Sequence, residues 1–167
     1  MKNLKSYMVL GVLFVSVLGT LFHFVYEWSG NNLFVSLFAP INESIWEHTK
    51  LLFFPMLLYA LYGKKKPGKD YPCLGASMIA GMLLGIASII VLFYTYSGIL
   101  GFHVSFADIS IFYISVILAF FFAYRLTLSC KADAYSALLT ILLVAVVVCY
   151  FAFTFFPPNI PLFMNPK

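Results

Sequence analysis

PCLGASMIAGMLLGIASIIVLFYTY, residues 72–96, runs without a single charged side chain. At 1.5 Å of rise per helical residue it exceeds the roughly 30 Å of a bilayer's hydrocarbon layer. Backbone amides in lipid have no water to bond, so a lone apolar stretch of this length is stable there only as a helix. Ser77, Gly81 and Gly85 recur at four-residue spacing within it. They form a ridge of small side chains on which a second helix can lie close.

Outward from this stretch, four more segments read the same way, at about 6–28, 42–62, 105–128 and 134–156. The 167-residue chain is 63% hydrophobic and 10% charged, more apolar surface than a soluble domain of this size can bury. The expectation is all-α, one domain over 1–167: an integral membrane bundle of five transmembrane helices. Lys2 and Lys5 before the first stretch resemble a signal peptide, but the run is too long and no small-x-small cleavage site follows. It reads as an uncleaved first span.

Under five spans, Lys2, Lys5, Lys64, Lys65, Lys66, Lys69, Arg125 and Lys131 share one end, and only Lys50 and Lys167 fall elsewhere. Positive residues stay on the cytoplasmic side, which predicts, in a cell membrane, an amino terminus inside and a carboxyl terminus outside. The net charge of +4 then serves orientation and contact with anionic headgroups, and nothing supports a nucleic-acid partner. Cys73, Cys130 and Cys149 lack metal-ligand spacing and are expected as small apolar residues rather than a disulfide framework. Residues 29–41 join spans one and two; the middle, 33–38, is too apolar for a solvated loop and too short to span. It is expected to be interfacial or re-entrant, roofing the mouth of the bundle.

All three histidines and four of the six carboxylates fall at the end opposite the lysines: His23, His48, His103, Glu27, Glu43, Glu47 and Asp108. Ionisable groups at membrane depth are costly and mark sites. His23 and Glu27 are four apart, as are Glu43 and Glu47, so each pair shares a helix face. The metal-ligand set expected is His23, Glu27, Glu47 and His48, since imidazole with carboxylate suits zinc, manganese or iron. Catalysis would fall to Glu47, His48 and Glu27, with Lys50 stabilising substrate charge; without metal, the same groups divide acid and base roles. Glu43, Ser44, His103 and Asp108 rank lower. Asn42 reads as the N-cap of span two, making Glu43 a first-turn anion. Ser44 and His48 have nucleophile–base spacing, Ser105-x-x-Asp108 has the form of a capping box, and His103 reads as a solvated loop residue. Trp28 and Trp46 read as interfacial anchors.

The run from His23 to Asn32, HFVYEWSGNN, followed by Pro40 to Leu51, PINESIWEHTKL, resembles the signature of an uncharacterised family of small multi-pass bacterial membrane proteins, a domain of unknown function. The resemblance covers the first two spans and implies no activity. The chain contains no H-E-x-x-H, G-x-S-x-G or E-E-x-x-x-R. From the chemistry alone, the leading expectation is a membrane-embedded hydrolase or transferase, metal-dependent or acid–base, acting at the outer leaflet on a lipid or lipid-linked substrate. The alternatives are a metal-ion or small-cation binding or transport protein, and a structural subunit whose polar cluster fixes helix packing. A homo-oligomer stays open.

Overall fold

The computed structural model describes residues 2–63 and 67–166; the basic loop at Lys64, Lys65 and Lys66, and Lys167, lie outside the described residues. The chain is all-α. Its helices are α1 (Lys2–Trp28), α2 (Leu33–Ser36), α3 (Ile45–Gly63), α4 (Pro67–Asp70), α5 (Leu74–Leu100), α6 (Ser105–Ser129) and α7 (Ser136–Phe155), with 3-10 turns at Asp133–Tyr135 and Pro161–Phe163.

Among the described residues, four helices are long and apolar enough to cross a membrane: Leu4–Trp28, Leu74–Leu100, Ser105–Ser129 and Asp133–Phe155. The protein is therefore a multi-pass membrane protein. The sequence predicts five spans. The remaining long helix, α3, has 19 residues and carries Glu47, His48 and Lys50 near its start, which lowers its mean apolarity. Burial explains why it can carry them. Leu51, Leu52, Phe53, Phe54, Met56 and Tyr59 of α3 are all buried, so the bundle itself surrounds the helix.

Helices α5 and α6 form the most extensive packing pair. The small-residue ridge accounts for it: a Cβ on Gly81 would stand 2.5 Å from the Ala119 carbonyl oxygen, so only glycine permits this approach. The two helices are antiparallel, which brings Cys73, just before α5, to a Cα–Cα distance of 5.4 Å from Cys130, just after α6. They form a disulfide, which corrects the expectation of two isolated small residues. The pairing is hidden in the sequence because the cysteines are 57 positions apart, and only the α5–α6 hairpin makes them neighbours. Cys149 is free.

Helix α1 lies antiparallel to α3. At one end the Tyr7 hydroxyl donates to the Tyr59 carbonyl (3.1 Å) and the Tyr59 hydroxyl to the Tyr7 carbonyl (2.6 Å). Toward the other end, a Cβ on Gly19 would meet the Leu51 carbonyl at 2.5 Å, so the glycine brings α1 tight against α3 one turn before His23. Helix α7 is peripheral. Its later half is anchored by buried Tyr150 and Thr154, while Leu138, Ile141, Leu142 and Val144 of its first half face outward.

The 29–41 connection folds as the single turn α2, with Asn32 Oδ1 accepting from the Phe34 amide at 2.8 Å. Leu33 and Phe34 project outward, but Phe38 packs edge-on against Phe54 and Phe151. The segment covers Glu47 and Lys50, through the Ile41 amide and the Ser36 carbonyl, and does not roof the histidines. That place is taken by the carboxyl-terminal tail, where Phe163 packs on Trp46 and Phe153. Trp46 is thus half-buried beneath the tail, whereas Trp28 is exposed.

Candidate metal centre in an apolar cavity

Local hydrogen bonding at the start of α3 sets the site. Asn42 Oδ1 accepts from the Ser44 amide (2.9 Å), and Ser44 Oγ accepts from the Glu47 amide (3.3 Å). Ser44, not Asn42, therefore caps the helix. Glu43 is left on the turn before it rather than in the first turn, with its backbone amide donating to Asn165 Oδ1 of the tail at 3.1 Å. From there its carboxylate reaches both histidines. Glu43 Oε2 lies 3.3 Å from His48 Nε2 and 3.7 Å from His23 Nε2, and the two imidazole rings are 5.3 Å apart.

His23, Glu43 and His48 each offer one ligand atom, and all three atoms lie within 4.8 Å of one another. His48 is oriented from behind. Its Nδ1 sits 3.0 Å from the Ser44 carbonyl, an oxygen that only accepts, so Nδ1 carries the hydrogen and Nε2 presents its lone pair in the neutral ring. A backbone carbonyl on the far nitrogen is the usual support for a metal-binding histidine. A lone pair and a carboxylate oxygen facing each other need a cation between them, either a proton or a metal. The hydrogen bond with His48 holds the Glu43 carboxyl below the ordinary carboxylate range; His23 adds to this and partial burial opposes it.

These three residues line a cavity of about 470 Å³ whose remaining wall is largely apolar, including Leu51, Ile89, Phe93 and Phe112. His103 and Asp108 line the same cavity. Asp108 forms no capping box: α6 begins at Ser105, and no side chain caps it. Its carboxylate instead accepts from the Tyr96 hydroxyl and from His103 Nδ1 at 3.0 Å. His103 is thus paired rather than solvated. Its partner is five residues on, across the start of a helix, a separation with no helical pattern to flag it.

The structure does not bring the other expected residues to this group. Glu27 is exposed at the end of α1 and makes no side-chain hydrogen bond or ion pair among the described residues. Glu47 is buried and faces away, its Oε2 accepting from Lys50 Nζ (2.7 Å) and the Ile41 amide (3.1 Å). Lys50 also donates to the Ser36 carbonyl (3.0 Å) and Thr154 Oγ1 (2.7 Å), so all three ammonium protons have acceptors. The pair joins α2, α3 and α7 and contributes nothing to the cavity wall. Ser44 and His48 do not form a nucleophile–base pair: the serine hydroxyl caps the helix and the imidazole uses the serine carbonyl. Tyr96 and Asn165 are not foreseen from the sequence, because both reach the site from segments that carry no helical spacing to it.

Residues 1–166 match the model of a family of unknown function (DUF6512), and the chain belongs to that family. No curated protein and no solved structure matches it.

Proposed function

We propose that this DUF6512 family member is a membrane-embedded, metal-dependent hydrolase or transferase acting on a lipid or lipid-linked substrate. A divalent cation would be held by His23, Glu43 and His48. The observation that carries the reading is the convergence of two imidazole nitrogens and a carboxylate oxygen within 4.8 Å on the wall of an apolar cavity. Two histidines and one carboxylate suit zinc foremost, with manganese and iron also compatible. Three protein ligands leave a coordination position for water, whose pKa a bound zinc lowers to about 7. An apolar wall beside a polar centre fits an amphiphile better than a wholly soluble substrate.

Here α3 serves as a fifth span, made tolerable by its central burial and by the mutual neutralisation of Glu47 and Lys50. Lys5, Lys69, Arg125 and Lys131 all belong to helix ends opposite the histidine cluster, which supports an inner amino terminus and a site at the outer leaflet. A cation-transport path is less favoured. Beyond Lys50, the buried face of α3 continues as Leu51, Leu52, Phe53, Phe54 and Met56, with no charged group to carry an ion inward.

Elemental analysis of the protein purified in mild detergent without chelator tests the proposal. Near one zinc, manganese or iron per chain is expected, and its loss from folded His23→Ala and His48→Ala proteins. Absence of bound metal after supplementation with all three ions would reject it.

A further inference from the structure

The metal-centre reading leaves one group in the cavity unused. Besides His23, Glu43 and His48, the wall carries a third histidine, separately braced. His103 Nδ1 meets Asp108 Oδ2 at 3.0 Å, the other Asp108 oxygen accepts from the Tyr96 hydroxyl, and that hydroxyl accepts from the Val104 amide at 3.1 Å. Every member of this chain is fixed by the next. Tyr96 comes from the end of α5, Val104 from the loop that carries His103, and Asp108 from the first turn of α6.

A carboxylate on Nδ1 fixes the tautomer, leaving Nε2 as the ring's acceptor. That arrangement orients an imidazole for proton transfer. His103 is not among the three residues whose ligand atoms cluster, so it is not positioned as a metal ligand. It lines the cavity at 33% side-chain exposure, half-buried but reachable.

Resting on the metal-dependent reading above, we propose that His103 is the proton carrier of this site, with Asp108 and Tyr96 as positioning residues, and that the substrate is an ester or phosphoester of an amphiphile. In hydrolysis, His103 Nε2 takes a proton from water as the water oxygen forms its bond to the carbonyl carbon or phosphorus. The bond to the leaving oxygen then breaks, and that oxygen takes the proton from His103. Acid and alcohol result, and His103 is returned neutral. The titratable groups around the cavity are His23 from α1, Glu43 and His48 at the start of α3, Tyr96 from α5, Asp108 from α6 and His103 itself.

The test uses the full chain in detergent, zinc-loaded, with two probes: 4-nitrophenyl dodecanoate for acyl transfer and bis(4-nitrophenyl) phosphate for phosphoryl transfer. Turnover of one probe names the bond class. His103→Gln should lower kcat about a hundredfold with little change in KM, the scale of a lost general acid–base, and should change the shape of the pH–rate profile at saturating zinc. Asp108→Asn should lower kcat less, with partial recovery in Asp108→Glu. Unchanged kcat and pH profile in His103→Gln would overturn the assignment.

Long-range proton–nitrogen NMR of histidine-labelled protein reads the tautomer without any substrate. Hydrogen on Nδ1 of His103, shifted by Asp108→Asn, is expected; hydrogen on Nε2, or indifference to Asp108→Asn, overturns the assignment whatever the probes do. Turnover that needs His103 but survives zinc removal would reject the metal reading and keep the proton carrier. Normal zinc binding with no turnover of either probe would reject the proton carrier and keep the metal centre.

Discussion

Lys50 Nζ lies 2.7 Å from Glu47 Oε2 with the lysine fully excluded from solvent. The sequence places these residues among catalytic and ligand groups, yet they satisfy one another together with Ser36, Ile41 and Thr154. Removing one partner strands a buried charge, which costs about 3–5 kcal/mol. Glu47→Gln and Lys50→Met should each lower the thermal midpoint strongly in detergent. The double Glu47→Leu/Lys50→Met protein should recover most of the loss, since an apolar pair of similar volume is often neutral. Zinc content in whatever folds should be unchanged.

The opposite outcome is expected at the metal centre. Even support residues behind metal ligands are worth about 10–100-fold in affinity, so losing a direct ligand should cost at least the upper end. His23→Ala, Glu43→Gln and His48→Ala should each weaken zinc binding by about a hundredfold or more in equilibrium dialysis, with helix content unchanged by circular dichroism. Glu27→Gln should bind like the parent protein. Undiminished zinc binding in Glu43→Gln would remove Glu43 from its assigned role.

Acid should act in two stages. Zinc needs neutral imidazole, so its affinity should fall as pH drops and protons compete for the ligand nitrogens. Glu43 adds a lower step. Its pKa is depressed in the fold by the hydrogen bond with His48, so its stabilisation is present above the ordinary carboxylate range and is lost as pH falls through the lower folded value. Isothermal titration of zinc and thermal melts across the same pH series should separate the stages: binding fails first, and stability falls further only below the carboxylate range.

The tail should matter to the site beyond its own packing. Asn165 holds the Glu43 amide at 3.1 Å, and Asn165 and Pro166 line the cavity. Asn165→Ala should weaken zinc by about tenfold, the lower end for a supporting contact, without the large midpoint shift expected for Lys50→Met. Zinc titration and a melt on the same sample distinguish the two.

The Cys73–Cys130 disulfide lies at the same helix ends as Lys69 and Lys131; the proposed orientation would put that end in the cytosol, where disulfides are rare in mesophiles. If that orientation holds, rapid quenching of intact cells with a membrane-permeant maleimide should label three cysteines, and protein purified in air and then denatured only one, Cys149. Labelling of Cys149 alone in cells would put this end in an oxidising compartment and reverse the orientation.

The long elements are legible in the sequence because membrane burial imposes a crude rule on it: the expected boundaries at 72–96, 105–128 and 134–156 fall within a few residues of α5, α6 and α7. The site is legible only as a neighbourhood. His23 and His48 stand out because an imidazole within an apolar stretch is costly unless it is paired or used. Glu43 ranks low and Glu47 high when helical spacing is carried across a boundary set two residues early. Whether the helix starts at Asn42 or Ser44 decides which glutamate turns to the histidines, and that choice rests on competing hydrogen bonds of Asn42 and Ser44. The disulfide and the His103–Asp108 pair depend on helix packing, which no periodicity records.

The uneven attachment of α7 divides that helix into two regimes of permissible change. Leu138, Ile141, Leu142 and Val144 are exposed on the bundle's outer face, so any apolar residue of good helix propensity serves at these positions and the sequence there is free to drift. Tyr150 and Thr154 are fixed from several directions at once, by Thr49 and by Lys50. Selection should therefore act on α7 as on a hinge pin set in its socket at one end, and for the rest ask only that it dissolve in lipid.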